Sequence, residues 1–414
     1  MKNLLILGAG SAGTMAANKL YKKLNRNEWT ITAVDQDNQH LYQPGLLLLP
    51  FGGYAPEELV KSRKQLLRSA VDFIVAKVSV VHPKQNIVEL EDGRTLDYDF
   101  LIIASGTTPR PDQTPGLMDP TIWYKSAFDF YTLAGSIALR HALSKFKGGR
   151  LVVHISEMPI KCPVAPLEFT FLADAYFEER KMRDRVEITY VTPLEGAFTK
   201  PVCSKYLGHM LEERNIHLEP DFVVDRIDPQ SKTLVSMDER EIPFDLLVTV
   251  PVNMGANFVG ASGMGDDLNY LRVNKETFLS KEYDNIFALG DASDIPASKA
   301  GSVAHFAIDL FAENFIEYIH GRPMTLNFDG HANCFIESGH GKGLLIDFNY
   351  TTEPLTGMFP LPLVGPFSLL KESHINHLGK LAFRWIYWNM LMKARHIPIS
   401  SKMSMIGKHE VIQK

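Results

Sequence analysis

Short apolar runs alternate with segments of helical composition along the first part of the chain. Leu4–Leu7 is an uncharged run of the kind that becomes a buried parallel strand, and residues 14–24 after it have helical composition. A second apolar run at 29–34 ends in Asp35, and a third lies at 100–104. This order of runs predicts a β-α-β unit whose strands are buried on both faces.

Between these runs the pattern is less regular. Residues 38–56 are apolar and aromatic, but proline and glycine interrupt them. This pattern indicates a loop that lines a cavity or cleft, and not a helix or strand. Pro56 and Glu57 open a predicted helix that reaches about Leu67, and turn residues divide 71–91 into a small β-meander.

The order strand, helix, strand returns in the middle of the chain, without the glycines of the first unit. The predicted elements are helices within 123–147, a strand at 151–155, a helix at 165–181, a strand at 186–191, a helix at 204–214 and a strand at 245–250. A last strand at 286–290, a helix at 302–319 and a β-rich stretch at 325–350 follow.

These patterns predict an α/β protein with two tandem Rossmann-like dinucleotide-binding domains and a C-terminal amphipathic segment that binds a membrane. The first domain is expected in two parts, 1–110 and 276–350, which flank a second domain at 111–275. The C-terminal segment is expected at 351–414.

Composition narrows the possible functions. The chain has 414 residues, and its net charge of −5 gives no reason to expect a nucleic-acid partner. Its three cysteines are too few for a disulfide scaffold and lack zinc-site spacing, so no metal site is expected. The first strand starts at the N-terminus without a signal peptide, which predicts folding in the cytoplasm. Because no uncharged run reaches about 18 residues, any membrane contact is expected to be at the surface.

A G-x-G-x-x-G motif follows the first predicted strand. Gly8 permits a tight turn, Gly10 lets the backbone approach a pyrophosphate, and Gly13 lets the helix pack closely on the strand. The free N–H groups of the helix, near Ser11 and Ala12, attract phosphate. Asp35 stands where an acid would accept from ribose hydroxyls, so we expect a bound dinucleotide.

The corresponding turn of the second unit, residues 154–163, contains no glycine and carries the acid Glu157. Backbone approach to a pyrophosphate requires glycine, and an acid repels phosphate. The turn therefore argues against NADH binding in the second domain, and the electrons are expected from another donor.

That altered turn contains Cys162, directly before a predicted helix. Cationic Lys161 and the helix N-terminus are both expected to lower the pKa of its thiol and make it reactive. Cys334 is the second candidate for redox chemistry. The residues around Cys203 give less support for a redox role. The alternative is that these cysteines are ordinary buried residues, because free cysteine is often found in cores.

Three stretches together resemble the two-dinucleotide-fold flavoprotein superfamily: GAGSAG with Asp35, ASGTTP at 104–109 and NIFALGD at 285–291. The resemblance implies FAD as the cofactor, with the Gly290–Asp291 motif holding the part that the first motif does not. The dipole of the helix after residue 301 would stabilise the reduced, anionic flavin. His305, in that helix, is either part of this site or a core histidine. Beyond the first motif, the expected cofactor residues are Gln43, Ser105, Gly106, Gly290, Asp291, Lys299 and Gly301.

A closer resemblance is to the sulfide:quinone oxidoreductases. It is carried by HLYQPGLLLLPFG at 40–52, KCPVAPLEF at 161–169, SKAGSVAHF at 298–306, ANCFIESGHGKG at 332–343 and INHLGKLAFRW at 375–385. The resemblance implies that sulfide or a persulfide is oxidised through Cys162 and Cys334 and that two electrons pass through FAD to a membrane quinone. Glu168 is a candidate proton acceptor or, alternatively, a solvated or capping glutamate.

Two features of some family members are missing. Residues 107–150 contain no cysteine that could take the role of a third redox cysteine. The stretch 194–200 contains no histidine of the Gly-His type, which puts an acid–base histidine there in doubt.

The C-terminal stretch has a different composition. Residues 354–370 carry no charge, and aromatic and cationic residues are interleaved over 375–395, which suits a membrane interface. A buried core helix and a docking site for a partner protein are the alternatives. The resemblance places Lys380 near a quinone head group, and Phe335, Phe359 and Phe383 are candidates for stacking on it.

The sequence therefore predicts a peripheral membrane enzyme on the cytoplasmic face, and it leaves open whether the enzyme is a homo-oligomer. Three rival interpretations remain. They are a type II NADH:quinone oxidoreductase, the flavin subunit of a flavocytochrome c sulfide dehydrogenase, and a sulfide-sensing or sulfur-carrier protein without enzymatic activity.

Overall fold

The computed structural model describes residues 1–361 and 364–411. Eight α-helices lie in these ranges: α1 (Ser11–Lys23), α2 (Arg63–Leu66), α3 (Leu133–Lys145), α4 (Ala165–Glu179), α5 (Pro201–Glu213), α6 (Asn257–Ala261), α7 (Gly301–Ile319) and α8 (His374–Ile386). Within these ranges, no helix combines the length and the apolar character needed to cross a membrane.

The first sheet has five parallel strands. In spatial order they are Ile286–Ala288, Phe100–Ile103, Lys2–Leu7, Trp29–Asp35 and Asp72–Val75. The N-terminal strand lies inside the sheet because its last four residues are buried on both faces. The chain leaves this strand in opposite directions towards its two neighbours, so the carboxyl ends of the strands open a crevice suited to a dinucleotide.

The second sheet repeats this architecture. Its spatial order is Ala127–Phe128, Leu246–Val250, Gly149–Ile155, Val186–Val191 and His217–Glu219, all parallel. An antiparallel pair, Thr107–Arg110 with Val252–Gly255, joins the two domains. The first sheet thus takes its strands from residues 2–103 and 286–288, and the second takes its strands from residues 127–250 between them.

Small antiparallel sheets flank these two. One contains Val78–His82, Ile87–Leu90 and Thr95–Asp97, another contains Val224–Asp228, Thr233–Ser236 and Glu241–Pro243, and a third pairs Gln39–Leu41 with Val60–Ser62.

The C-terminal part of the chain forms a sheet of its own. Its spatial order is Ala332–Gly339, Lys342–Phe348, Gly365–Leu369, Thr356–Leu361 and Lys408–His409, and α8 packs on the first two strands. The predicted segment 351–414 is thus two strands, a helix, a π-helical turn at Tyr387–Leu391 and a short edge strand. Residues 362, 363 and 412–414 of that segment lie outside the described residues.

Two local predictions are wrong. The predicted helix at 56–67 is instead a 3-10 turn at Pro56–Leu59, a strand at Val60–Ser62 and the short α2. The strand forms because residues 39–41 supply backbone partners for it, and this tertiary pairing overrides local propensity. Only the second half of 123–147 is helical, because Asp129 accepts from the N–H groups of Tyr131 and Thr132 and holds a turn before α3.

Candidate active site

The glycines of the first motif have distinct surroundings. Gly8 adopts φ +101°, and a Cβ there would lie 2.4 Å from the carbonyl oxygen of Ala104. A Cβ on Gly13 would lie 1.8 Å from the carbonyl oxygen of Gly8, so α1 can approach the strand only without a side chain at this position. A Cβ on Gly10 would have no atom of the described residues within 4 Å, apart from its own residue and the two next to it in sequence. The turn therefore leaves room beside Gly10 for a pyrophosphate at the N-terminus of α1.

Asp35 closes the dinucleotide crevice at the end of its strand. Its Oδ2 accepts from the N–H of Ala9 at 2.7 Å and lies 3.0 Å from Nη1 of Arg63. Burial raises the pKa of Asp35, and the guanidinium of Arg63 opposes that rise. Sequence reasoning missed Arg63, because α2 comes beside Asp35 only through the pairing of residues 39–41 with 60–62.

The C-terminal part of the chain docks against the same crevice. The hydroxyl of Tyr387 lies 2.5 Å from Oγ of Ser11 and 2.6 Å from Nε2 of the buried His40. Asn18 of α1 also donates to the carbonyl of Met392 at 2.7 Å. The Ser11 hydroxyl is therefore engaged, and its backbone remains available to a phosphate.

On the other side of the crevice, Lys299 is the central residue. Its ammonium group donates to the carbonyl oxygens of Asp291 and Ser293, at 2.9 Å each, and lies 3.7 Å from the centroid of the Tyr270 ring. Burial lowers the pKa of Lys299 to about 8, and Asp291 counteracts this. Burial also raises the pKa of Asp291, while Lys299 lowers it. The two residues are thus coupled where the Gly-Asp motif would hold the flavin end of FAD.

Two of the remaining predicted cofactor residues, Gly106 and Gly301, border open space. A Cβ on Gly106 or on Gly301 would meet no atom of residues 1–361 and 364–411 within 4 Å. Gly301 is the first residue of α7, and Gly290 adopts φ +65° before Asp291. Gln43 is exposed at the start of a 3-10 turn, and Ser105 has a buried hydroxyl with no partner among the described residues. The backbone cradle and this orphaned hydroxyl fit FAD.

The turn that contains Cys162 is hydrogen-bonded to Lys299, one of the predicted cofactor residues. The N–H of Cys162 donates to the carbonyl of Lys299 at 2.7 Å. The Tyr131 hydroxyl donates to the carbonyl of Lys161 at 2.7 Å. Cys162 itself adopts φ +48°, a left-handed conformation that is uncommon for a residue with a side chain. Backbone hydrogen bonds on both sides therefore hold the cysteine in a strained conformation.

Both candidate cysteines are half-buried free thiols in the described structure. Burial raises the pKa of the Cys162 thiol above its usual range, and Glu168 raises it further. Burial likewise raises the pKa of Cys334 to about 12, again with Glu168 adding to the rise. Lys380 lowers the pKa of both thiols. Because the same acid and the same cation act on both cysteines, four groups from distant parts of the chain share one site.

The expected activation of Cys162 by Lys161 is wrong. The ammonium group of Lys161 lies 5.9 Å from the centroid of the Tyr131 ring, and burial lowers its own pKa. The cation beside the thiol is Lys380, which folding brings in from α8. The helix N-terminus does contribute as predicted, because the N–H of Ala165 at the start of α4 lowers the pKa of Cys162.

Glu168 is fully buried in the first turn of α4 and is neither solvated nor a cap. Its Oε1 accepts from the ammonium group of Lys380 and, at 2.7 Å, from the N–H of Glu337. Lys380 also donates to the carbonyl of Phe335 at 3.2 Å. This ion pair joins α4 and α8 across the strand that carries Cys334.

Sequence reasoning missed a second acid–base pair next to it. The carboxylate of Glu337 lies 2.8 Å from Nδ1 of His377, and their side chains are 2% and 26% exposed. Burial raises the pKa of Glu337, whereas Lys380 and His377 lower it. Both residues stand within the motifs at 332–343 and 375–385, but only the packing of α8 on the sheet shows that they meet.

The structure separates the three candidate phenylalanines. Phe335 packs edge-on against Phe367, with centroids 5.2 Å apart, and Phe359 faces Phe367 across the strand ladder. A Cβ on Gly379 would lie 2.8 Å from Cζ of Phe335, so this glycine lets α8 and Lys380 approach. Phe383 packs towards Tyr387 at 6.3 Å instead. Phe335 and Phe359 therefore share one apolar cluster near Lys380, together with Phe367, which was not predicted.

Two other candidate side chains are buried. His305 lies in α7, and its Nδ1 is 3.7 Å from the carboxylate of Asp309. Cys203 is fully buried near the start of α5. Among the described residues, no cluster of three or more histidine, cysteine, aspartate or glutamate side chains is placed to hold a metal ion.

Several known proteins are similar to this chain in sequence and in fold. The family model described as "Pyridine nucleotide-disulphide oxidoreductase" matches residues 2–152. The chain is 24% identical over 397 residues to the mitochondrial sulfide:quinone oxidoreductase of Mus musculus, covering 94% of this chain and 86% of the relative. It is 26% identical over 425 residues to that of Schizosaccharomyces pombe, with 94% and 90% covered.

A solved structure shows the same fold. The crystal structure of the sulfide:quinone oxidoreductase from Aquifex aeolicus superposes with a TM-score of 0.77 at 19% identity, covering 94% of this chain and 92% of that one.

These matches confirm the predicted resemblance over nearly the whole chain and support the predicted flavoprotein fold with FAD as its cofactor.

Proposed function

We propose that this protein is an FAD-dependent sulfide:quinone oxidoreductase that works at a membrane surface. The observation that carries the proposal is the meeting of Cys162, Cys334, Glu168 and Lys380 in one buried site beside the predicted flavin crevice. Curated relatives that match over nearly the whole chain bear the same activity in their names.

FAD bound in the crevice would accept two electrons at the cysteines and release them to a quinone. The dinucleotide turn at residues 8–13 and Asp35 would hold its adenine half. Asp291, Lys299 and the N-terminus of α7 would hold its flavin half. The positive end of α7, which starts at Gly301, would stabilise negative charge on the ring.

The cysteine chemistry follows from sulfur reactivity. In the oxidised enzyme Cys162 and Cys334 form a disulfide, and hydrosulfide attacks one of its sulfur atoms. The S–S bond breaks, a persulfide forms on one cysteine, and the other cysteine leaves as a thiolate. Lys380 stabilises that thiolate, because it lowers the pKa of both cysteines. Glu168, whose Oε2 has no hydrogen-bond partner among the described residues, would accept the proton of the incoming sulfide.

The quinone would approach from the side of α8. Phe335, Phe359 and Phe367 form an apolar wall near Lys380, and aromatic rings suit stacking on a quinone head group. One face of α8 presents Ile375, Leu378, Leu381 and Trp385, which are 37% to 61% exposed. An exposed apolar stripe on an amphipathic helix is typical of an interfacial membrane contact. The proposed site therefore opens towards lipid, where a quinone is dissolved, and the cytoplasmic face is the expected one.

The direct test is an anaerobic titration of the purified holoenzyme. Sulfide should bleach the yellow flavin absorbance with one equivalent per flavin, and a short-chain quinone should restore it. Persistence of the oxidised flavin spectrum in excess sulfide would overturn the proposal. Rapid bleaching by NADH would favour a type II NADH:quinone oxidoreductase, and co-purification of a cytochrome would favour a sulfide dehydrogenase of the flavocytochrome c type.

A further inference from the structure

Behind the Glu168–Lys380 pair lies the Glu337–His377 pair, for which the proposed reaction has no role so far. Glu337 is 1% exposed as a residue, and its carboxylate lies 2.8 Å from Nδ1 of His377. The His377 side chain is 26% exposed, so its ring reaches solvent. The pair thus connects the interior of the site with the protein surface.

The two pairs are in contact. The backbone N–H of Glu337 donates to Oε1 of Glu168, which also accepts from Lys380. Lys380 lowers and Glu168 raises the pKa of Glu337, so both charges act on its carboxyl group. Oε2 of Glu168 and Oε1 of Glu337 are buried, and neither has a hydrogen-bond partner among the described residues. Each carboxylate therefore has a free acceptor position for a proton.

The charges of this cluster depend on one proton. Two carboxylates face one ammonium group, and a second positive charge is present only when His377 is protonated. An uncompensated buried carboxylate is unfavourable, so the cluster is neutral when a proton sits on either Glu337 or His377. The groups that face the pair from neighbouring elements are Glu168 on α4, Lys380 on α8 and Tyr54 in the loop before residue 56.

We propose that Glu337 and His377 carry protons between solvent and the buried Glu168–Lys380 pair. This rests on the proposed function, whose stoichiometry requires such a path. Hydrosulfide brings one proton and two electrons, whereas a quinone takes up two protons and two electrons to become a hydroquinone. One proton therefore enters from solvent in each turnover, and zero-valent sulfur leaves. His377 takes up that proton at the surface, and Glu337 passes it inward.

The kinetic test compares Glu337→Gln and His377→Ala with the control His374→Asn in stopped-flow experiments. His374 lies three positions earlier in α8 and is exposed, and within residues 1–361 and 364–411 its ring bonds only the carbonyl of Gly341, at 2.7 Å. Reoxidation of the sulfide-reduced enzyme by a short-chain quinone should slow about tenfold or more in the two variants. It should stay within about twofold of wild type in the control. Imidazole in the buffer should restore His377→Ala, because a small base replaces the missing proton carrier.

Unchanged reoxidation in both variants, or equal slowing in the control, would overturn the proton path. Failure of imidazole to restore the rate would also overturn it, since only a structural role of His377 would remain. If sulfide fails to bleach the wild-type flavin, the proposed function itself fails, so the two outcomes are separate.

A second measurement needs no turnover. In the oxidised holoenzyme, infrared difference spectra between acidic and alkaline pH should contain a protonated carboxyl band that disappears in Glu337→Gln. In His377→Ala the midpoint of this band should move to higher pH, because His377 lowers the pKa of Glu337 in the folded protein. An unmoved midpoint would show that the two groups do not share a proton.

Discussion

Lys380 of α8 and Glu168 of α4 form a buried ion pair between residues that are 212 positions apart in the sequence. Their side chains are 13% and 0% exposed. The pair holds α8 against the site that contains Cys162 and Cys334. It thereby makes α8 one wall of the candidate active site.

Replacing Lys380 by methionine should destabilise the protein by about 3–5 kcal/mol, because Glu168 is then a buried charge that has lost its cation. The double variant Glu168→Leu with Lys380→Met should recover much of this loss, since both charges of the pair are then removed together. Urea unfolding of the three proteins measures the difference. Equal losses in the single and double variants would show that packing, and not the charge, accounts for the stability.

Serine substitutions should distinguish the two redox cysteines from the third cysteine. Cys162→Ser and Cys334→Ser should each abolish bleaching of the flavin by sulfide while FAD remains bound, because neither side chain belongs to the dinucleotide cradle. Cys203→Ser is the matched control, since Cys203 is fully buried in α5. Flavin content and anaerobic sulfide titration of the three variants test this. Normal turnover of Cys162→Ser would reject the disulfide mechanism.

Alanine substitutions at two glycines of the first motif should have different effects. Gly13→Ala should destabilise the fold, because the new Cβ would lie 1.8 Å from the carbonyl oxygen of Gly8. Gly10→Ala should fold normally, since φ at Gly10 is −75° and no atom of the described chain lies within 4 Å of the new Cβ. It should nevertheless lose FAD, because the methyl group fills the space left for the pyrophosphate. Melting temperature of the apoprotein and flavin content distinguish the two effects.

The exposed apolar face of α8 should govern membrane binding. Trp385→Glu and Leu378→Glu should each weaken binding to lipid vesicles about tenfold or more, because burial of one large apolar side chain contributes about 1.5–3 kcal/mol. Met237→Glu is the control, since Met237 is 67% exposed on the second domain. Co-sedimentation with vesicles measures the effect. Flavin reoxidation by a soluble quinone should persist in all three variants.

Acid should destabilise the protein through His154. This histidine is fully buried in the second sheet, with Nδ1 3.0 Å from Oγ1 of Thr249, and burial lowers its pKa to about 3. The unfolded chain takes up the proton near pH 6.5, whereas the folded chain does so only near pH 3, so stability falls as the pH drops between these values.

The stability of wild type relative to His154→Gln should therefore fall by about 2 kcal/mol between pH 6.5 and pH 5. Urea unfolding at the two pH values measures this. His209→Gln is the control, because the His209 side chain is 67% exposed on α5. An identical pH dependence of wild type and His154→Gln would contradict the prediction.

Much of the fold could be predicted from the sequence, because parallel strands that are buried on both faces give uninterrupted apolar runs. The strands at 2–7, 149–155 and 186–191 and the helix α4 all lie close to their predicted positions. The prediction failed at 56–67 and at the start of 123–147. There, strand pairing with 39–41 and the Asp129 turn supply hydrogen bonds from outside the local sequence.

The glycine motif, the loss of a second such motif and the position of Cys162 followed from the sequence alone. Each depends on local geometry: a tight turn, a close backbone approach and a helix N-terminus lie within a few residues of one another. The tertiary structure alone decided which charges surround the cysteines. Lys380, and not Lys161, lies beside the thiols, and Glu337 meets His377, because α8 packs on the strand that carries Cys334. Electrostatic interactions depend on distance in space, and no local pattern encodes that distance for residues more than 200 positions apart.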